Sequence, residues 1–242
     1  MKAVLITGAT SGIGKQLALD YAKDGWQVIA CGRNQQVLQA LSAEFATIFP
    51  LAFDVTDHAA TKTALSQLPF QPELWILNAG DCEYIDHGKM DISVMARVFN
   101  INVLGVAAVI EGIQSQLARG HRVAIVGSIA SELALPRAQA YGASKAAVAY
   151  LARTLQLDWR PLGIEVSTIF PGFVATPLTD RNTFVMPMII SVERAAQEIK
   201  AGLARGVSQL YFPKRFTWLI RLLGALPYAW QTRLVQRMLK VK

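Results

Sequence analysis

The segment that most narrows the folds open to this chain is its start. Lys2-Ala3-Val4-Leu5-Ile6-Thr7 runs directly into Gly8-Ala9-Thr10-Ser11-Gly12-Ile13-Gly14. The apolar run reads as a buried strand and is too brief for the apolar region of a signal peptide. Ile13, Leu17, Ala18 and Tyr21 then recur at helical spacing. Strand, glycine turn and helix N-terminus in that order form a cradle for a pyrophosphate. The glycines let the backbone come close, and the unpaired N–H groups of the first helical turn face the anion. The competing reading is a plain glycine-rich turn between two elements.

Asp24-Gly25 is a helix stop signal, and Trp26-Gln27-Val28-Ile29-Ala30-Cys31 reads as a second strand. A site selective for NAD wants a carboxylate at the end of this strand, to hold the ribose 2′-hydroxyl. Here the strand ends in Cys31-Gly32-Arg33-Asn34, without an acid. Arg33 is placed to pair with a 2′-phosphate and Ser11 can add a hydroxyl, so NADP(H) is expected over NAD(H). Further apolar strands read as Leu74–Leu77, Arg122–Val126, Ile164–Phe170 and Gln209–Phe212, alternating with helical stretches. Such strands suit a parallel sheet covered on both faces. The fold class expected is α/β, a doubly wound parallel sheet of about seven strands in one domain over residues 1–212.

The chemistry gathers around Tyr141-Gly142-Ala143-Ser144-Lys145, with Ser128 upstream in Val126-Gly127-Ser128-Ile129-Ala130-Ser131. A spacing of four puts Tyr141 and Lys145 on one helix face. An ammonium near a phenol favours the phenolate and lowers the tyrosine pKa. Such a tyrosine can exchange a proton with a carbonyl or alcohol oxygen near neutral pH.

With these motifs the chain resembles the short-chain dehydrogenase/reductase family, in its compact single-domain branch with a Rossmann fold. The spacing Thr-Gly-x3-Gly-x-Gly from Thr7 to Gly14 is that family's. Asp54-Val55 resembles its adenine-contacting pair, and Asn78-Ala79-Gly80 its Asn-Asn-Ala-Gly signature, with Leu77 in place of the first asparagine. Asn102, Ser128, Tyr141 and Lys145 match its catalytic set. Pro171-Gly172, Val174 and Thr176 match the turn that holds the nicotinamide. The likeness covers roughly residues 2–212.

That resemblance implies cofactor contacts at Gly8, Thr10, Ser11, Gly12, Ile13, Gly14, Arg33, Asp54, Val55, Asn78, Ala79, Gly80, Tyr141, Lys145, Pro171, Gly172, Val174 and Thr176. It implies that Tyr141 passes a proton to the substrate oxygen as hydride arrives, or removes it in reverse. Lys145 keeps Tyr141 acidic and binds the nicotinamide ribose, Ser128 holds the substrate oxygen, and Asn102 anchors a water linking Lys145 to solvent. A homodimer or homotetramer is expected by the same analogy.

Asp81-Cys82-Glu83-Tyr84-Ile85-Asp86 is unusually acidic for its place after Asn-Ala-Gly, and reads as a solvated loop or as a screen against anionic substrates. His58, His87 and His121 fall in no ligand-like cluster, so no metal is expected. Cys31 and Cys82 suggest no disulfide framework and fit a reducing cytoplasm. Residues 173–191 are the candidate lid, carrying Leu178, Phe184, Val185, Met186, Met188, Ile189 and Ile190. With Leu133, Leu135 and Pro136 they make either a mainly apolar pocket or a packing surface for the domain or a neighbouring subunit.

Charge is unevenly spread. Residues 1–212 balance 17 basic against 17 acidic side chains, while residues 213–242 carry seven Lys or Arg and no acid, which accounts for the whole net +7. On a helical wheel Trp230, Leu234, Val235, Met238, Leu239 and Val241 share one half, with Gln231 intruding. Thr232, Arg233, Gln236, Arg237 and Lys240 share the other. Leu219–Leu226 is apolar but interrupted by Arg221 and too short to span a bilayer. This basic extension reads as a membrane-surface element or as cover for the pocket or an oligomer interface. No recognition motif supports nucleic acid.

The function expected is NADPH-dependent reduction of an apolar carbonyl compound, or the reverse alcohol oxidation, in the cytoplasm or at a membrane surface. The rival readings are a non-catalytic NADP(H) sensor and a membrane-associated scaffold.

Overall fold

A computed structural model describes residues 2–182 and 184–240 of the chain, without the side chains of 238–240. Thr183, Met238, Leu239, Lys240, Val241 and Lys242, named above by residue or range, therefore lie wholly or by side chain outside the described residues.

Seven parallel strands form one sheet in the order β3-β2-β1-β4-β5-β6-β7. They are β1 (Ala3–Thr7), β2 (Gln27–Gly32), β3 (Ile48–Ala52), β4 (Leu74–Leu77), β5 (Arg122–Val126), β6 (Glu165–Pro171) and β7 (Gln209–Phe212). All five residues of β1 are buried. Strand alternation explains why: Val4 and Ile6 point into one core, and Leu5 into the other.

The first core is closed by α1 (Gly12–Lys23), α2 (Gln35–Glu44) and α7 (Val192–Ala204), through Leu17, Leu38 and Ile199. The second is closed by α3 (His58–Ser66), α5 (Gly105–Ile113) and α6 (Gln139–Trp159), through Leu65, Val109, Ile113 and Val148. The helix α4 (Ile92–Phe99) runs into α5 through a π-helical turn, Asn100–Leu104. The continuous stretch Ile92–Gln116 reaches a mean hydropathy of 1.7 over 18 residues and is long and apolar enough to cross a bilayer by length and composition. Here it packs against α3 and α6 as a layer helix.

The strand order reverses between β1 and β4. The loops leaving their C-terminal ends, Gly8 to Ser11 and Asn78 to Gly80, therefore diverge and leave a crevice, the usual ligand position in such sheets.

The basic extension folds as α8 (Lys214–Gly224) and α9 (Tyr228–Lys240). Phe216 and Ile220 of α8 bury against Ile129 and Leu133, and Val235 of α9 joins that cluster. Gln231, the polar intruder on the α9 wheel, explains which way this helix faces. Its Nε2 donates to the Gly224 and Leu226 carbonyls at 2.9 and 2.8 Å, satisfying acceptors at the end of α8. Gln231 is buried and Leu234 and Val235 are partly so, whereas Trp230 is 59% exposed. The apolar half of α9 is thus split, one edge against the domain and Trp230 outward.

Replacing Gln231 by leucine improves the wheel of an isolated amphipathic helix but strands two carbonyls. Gln231→Leu is expected to lower stability by about 1–3 kcal/mol in urea unfolding. Unchanged stability would show that α9 does not dock this way.

Candidate active site

The crevice is a cleft of about 320 Å³. Its phosphate end is built by backbone. Gly8 and Gly12 have φ of +68° and +50°, values that side chains rarely tolerate. A Cβ on Gly8 would lie 2.9 Å from the Ala79 backbone. Asn34, Asp57, Asp91 and Ser191 each cap their own helices with a side-chain oxygen. Ser11 at the head of α1 makes no such bond. The first-turn N–H groups of α1 and the Ser11 hydroxyl are thus left to face the cleft.

At the β2 side of the cleft Arg33 and Asp54 pair at 3.4 Å. Burial acts to raise the Asp54 carboxyl, but hydrogen bonds from the Thr56 N–H and hydroxyl, together with Arg33, hold it below its ordinary value.

The opposite end holds the titratable groups. Ser128 sits where β5 turns into a short 3-10 turn, its Oγ accepting from the Ala130 N–H at 3.1 Å. Tyr141 lies in the first turn of α6, and its side chain and that of Ser128 both face the cleft. Lys145, one turn on and 5% exposed, donates from Nζ to the Val126 carbonyl at 2.9 Å and lies 5.9 Å from the Tyr141 ring centre.

Burial pushes the Tyr141 phenol up and a nearby Cys82 adds to this, while the Ser128 hydrogen bond opposes it. Burial also pushes Lys145 down to about 8, with Cys82 opposing. The sequence leads one to expect Lys145 to depress the tyrosine. For the polypeptide alone, burial is the largest influence on both groups, followed by Cys82.

Asn102 stands behind this pair, fully buried on the π-helical turn. Its Oδ1 accepts from the Asp81 N–H at 2.8 Å, and its Nδ2 donates to the Asp81 carbonyl and the Ser144 hydroxyl, each at 2.9 Å. Ser144 Oγ in turn donates to the Tyr141 carbonyl at 2.7 Å.

Gly8, Thr10, Ser11, Gly12, Ile13, Arg33, Asp54, Val55, Asn78, Ala79, Gly80, Ser128, Tyr141, Lys145, Pro171, Gly172, Val174 and Thr176 all line the cleft. Asn102 and Gly14 do not. Gly14 is buried where a Cβ would collide with the Gly8 carbonyl and the Asn78 side chain, so it serves the approach of α1 to the sheet. Thr7 is a residue that motif spacing included without giving it a role. Its Oγ1 accepts from the Asn78 and Ala79 N–H groups at 3.0 and 3.1 Å, binding the two diverging loops together.

The acidic stretch 81–86 is not a free solvated loop. Asp81 pairs with Arg181, Glu83 with Arg97 and Asp86 with Arg137, so three separate segments neutralise it. Exposed pairs of this kind contribute little stability; here they hold the loop in place. Tyr84 then faces Phe184 edge-on at 5.6 Å, and Phe184 meets Phe173 at 6.0 Å. Of the lid, Leu178 lines the cleft, while Val185, Met188 and Ile189 face outward. Phe216 of α8 packs on Phe173 at 5.5 Å, so the extension backs this aromatic wall. Among the described residues no group of His, Cys, Asp and Glu is arranged to hold a metal, and Cys31 and Cys82 are both buried and free.

A doubly wound sheet with a glycine-rich turn and an uncapped helix N-terminus at its switch point has the architecture of a dinucleotide-binding fold. The chain belongs to the short chain dehydrogenase family, whose model matches residues 2–184, and is an oxidoreductase of that family. It is 33% identical over 236 residues to an uncharacterized oxidoreductase of Myxococcus xanthus, covering 93% of each chain. It is 33% identical over 182 residues to a serine 3-dehydrogenase of Rhizobium radiobacter, covering 73% of each. Its fold is shared with a short-chain dehydrogenase from Burkholderia cenocepacia solved in complex with NADP. That structure has a TM-score of 0.85 and 24% identity, covering 97% of this chain and 99% of the other.

The depressed Lys145 gives a stability signature. Between about pH 8 and its ordinary 10.5 the unfolded chain binds a proton here that the folded chain has released. Stability therefore rises with pH across that window at this site. Relative to Lys145→Met, the native chain is expected to gain on the order of 1–3 kcal/mol as pH rises from about 8 to about 10 in urea unfolding. A parallel pair of pH profiles would show that Lys145 titrates normally.

Proposed function

We propose that this chain is an NADPH-dependent reductase of a carbonyl group on an apolar small molecule, or runs the reverse alcohol oxidation. The observation that carries this reading is the Ser128–Tyr141 hydroxyl pair at the end of the cleft, with Lys145 on the same helix face. The bound nicotinamide supplies the hydride.

The residues present fit such a group. The glycine cradle and the unclaimed N–H groups of α1 suit its pyrophosphate, and Gly172, Val174 and Thr176 suit its nicotinamide end. Arg33, 69% exposed at the side chain and, among the described residues, partnered only by Asp54 across 3.4 Å, can turn to a 2′-phosphate. The NADP bound by the Burkholderia neighbour supports the same preference.

Ser128 Oγ and the Tyr141 hydroxyl would both hydrogen bond to the substrate oxygen, steadying the charge that grows there. As hydride reaches the carbonyl carbon, Tyr141 gives its proton to the oxygen and becomes a phenolate. The buried Lys145 ammonium 5.9 Å from the ring centre stabilises that phenolate. Asn102 and Ser144 keep the start of α6 fixed while this charge appears and disappears. Leu178 gives the lid side of the cleft an apolar contact, and Tyr84, close to Tyr141, carries an aromatic cluster with Phe184 and Phe173 beside that end; both favour apolar compounds.

Two variants test the assignment with NADPH oxidation and cofactor titration. Tyr141→Phe is expected to lower kcat by about 10²–10⁴-fold with NADPH binding nearly intact. Arg33→Ala is expected to weaken NADPH binding by about 10–100-fold and leave NADH little changed. Surviving turnover in the first, or equal losses for both cofactors in the second, would contradict the reading.

A further inference from the structure

We propose that the outer face of α8 is a docking surface for an anionic lipid bilayer. The inner face of this helix is spent on the domain, through Phe216, Thr217 and Ile220. The outer face presents Trp218, Leu219 and Leu222 at 64%, 44% and 49% exposure. At 100° per residue, Trp218 and Leu222 stand at its centre, flanked by Lys214 and Arg221 on one side and by Arg215 and Leu219 on the other. A shallow groove of about 490 Å³ runs beside it, lined by Tyr211, Lys214, Arg215, Thr217, Trp218 and Arg221. Three of these are cations and none is an acid. Arg221 lies over the Tyr211 ring at 4.1 Å, which holds the groove's wall in place.

Charge identifies the occupant. Among the described residues no ion pair involves Lys214, Arg215, Arg221, Arg233 or Arg237. A segment with cations and no acids, beside exposed tryptophan and leucine, matches the two needs of an interface. The groove takes phosphate headgroups, and Trp218, Leu219 and Leu222 enter the boundary between headgroups and acyl chains. Tyr228 and Trp230 at the head of α9, 86% and 59% exposed, extend the apolar contact. A second copy of the chain fits poorly, because a two-fold contact would set these cations against themselves. Nucleic acid uses the charge but leaves the two leucines unexplained. The surface is centred on α8 rather than α9, where Gln231 and Val235 turn inward while Trp230 faces out.

The test is co-sedimentation of the full chain with vesicles of phosphatidylcholine alone, and with about one part phosphatidylserine to two parts phosphatidylcholine. Binding is expected only to the second. It should weaken as salt rises from about 0.01 M to about 1 M, which shortens the screening length from about 30 Å to about 3 Å. Trp218→Ala/Leu222→Ala should weaken it by about tenfold or more, with NADPH binding retained as the check on folding. Lys214→Glu/Arg215→Glu should abolish it, whereas Lys23→Glu/Arg205→Glu, with the same change in net charge elsewhere, should leave most of it. The proposal is overturned if the native chain ignores anionic vesicles or if the apolar variant binds like the native chain. It is equally overturned if duplex DNA at matched phosphate is bound more tightly than the vesicles.

Discussion

The active site hangs on one buried amide. Asn102 joins three segments: the loop after β4, the kinked helix α4–α5, and the first turn of α6 by way of Ser144. Both ends of the amide are satisfied, so burying it carries no unpaired polar group. A regular helix would direct position 102 differently. The π-helical turn over Asn100–Leu104 rotates it toward Asp81, and Gly105 just beyond admits Val55 where a Cβ would crowd its side chain to 2.8 Å. Gly80 fits the same junction, since a side chain there would press on Asn102 Oδ1 and Lys145 Nζ at 3.1 and 3.3 Å. These contacts hold the start of α6, from which Tyr141 faces the cleft.

Around that lock the two ends of the cleft work by opposite physics. The phosphate end is backbone: glycines, a helix N-terminus left uncapped, and the Thr7 hydroxyl tying the two diverging loops together. The other end is side chains taken out of water. Desolvation holds Tyr141 protonated and lowers Lys145 to about 8, which leaves it an ammonium at neutral pH. A proton donor kept neutral in this way is suited to giving its proton to a nascent alkoxide.

The parallel sheet was legible because its strands are short and apolar, and because the glycine spacing after β1 admits few other folds. Tyr141, Lys145 and Ser128 were legible from spacing, since four residues along a helix and a strand end are local relations. Long-range matching was not legible. Nothing local shows that Asp81, Glu83 and Asp86 meet Arg181, Arg97 and Arg137. The π-helical turn at Asn102 left no mark in the hydrophobic pattern. A wheel placed Gln231 as an error in an apolar face, whereas it satisfies the carbonyls that end α8. Gly14 shows the reverse case: its place in a binding motif was clear, but its work is packing.

The most direct measurement is NADPH oxidation by the native chain over carbonyl compounds graded from small and polar to long-chain and aromatic. The account predicts turnover that rises with apolar size, as Leu178 in the cleft and the neighbouring cluster of Tyr84, Phe184 and Phe173 favour. No turnover with any compound, while NADPH still binds tightly, would contradict it and mark the chain as a cofactor-binding protein without this chemistry.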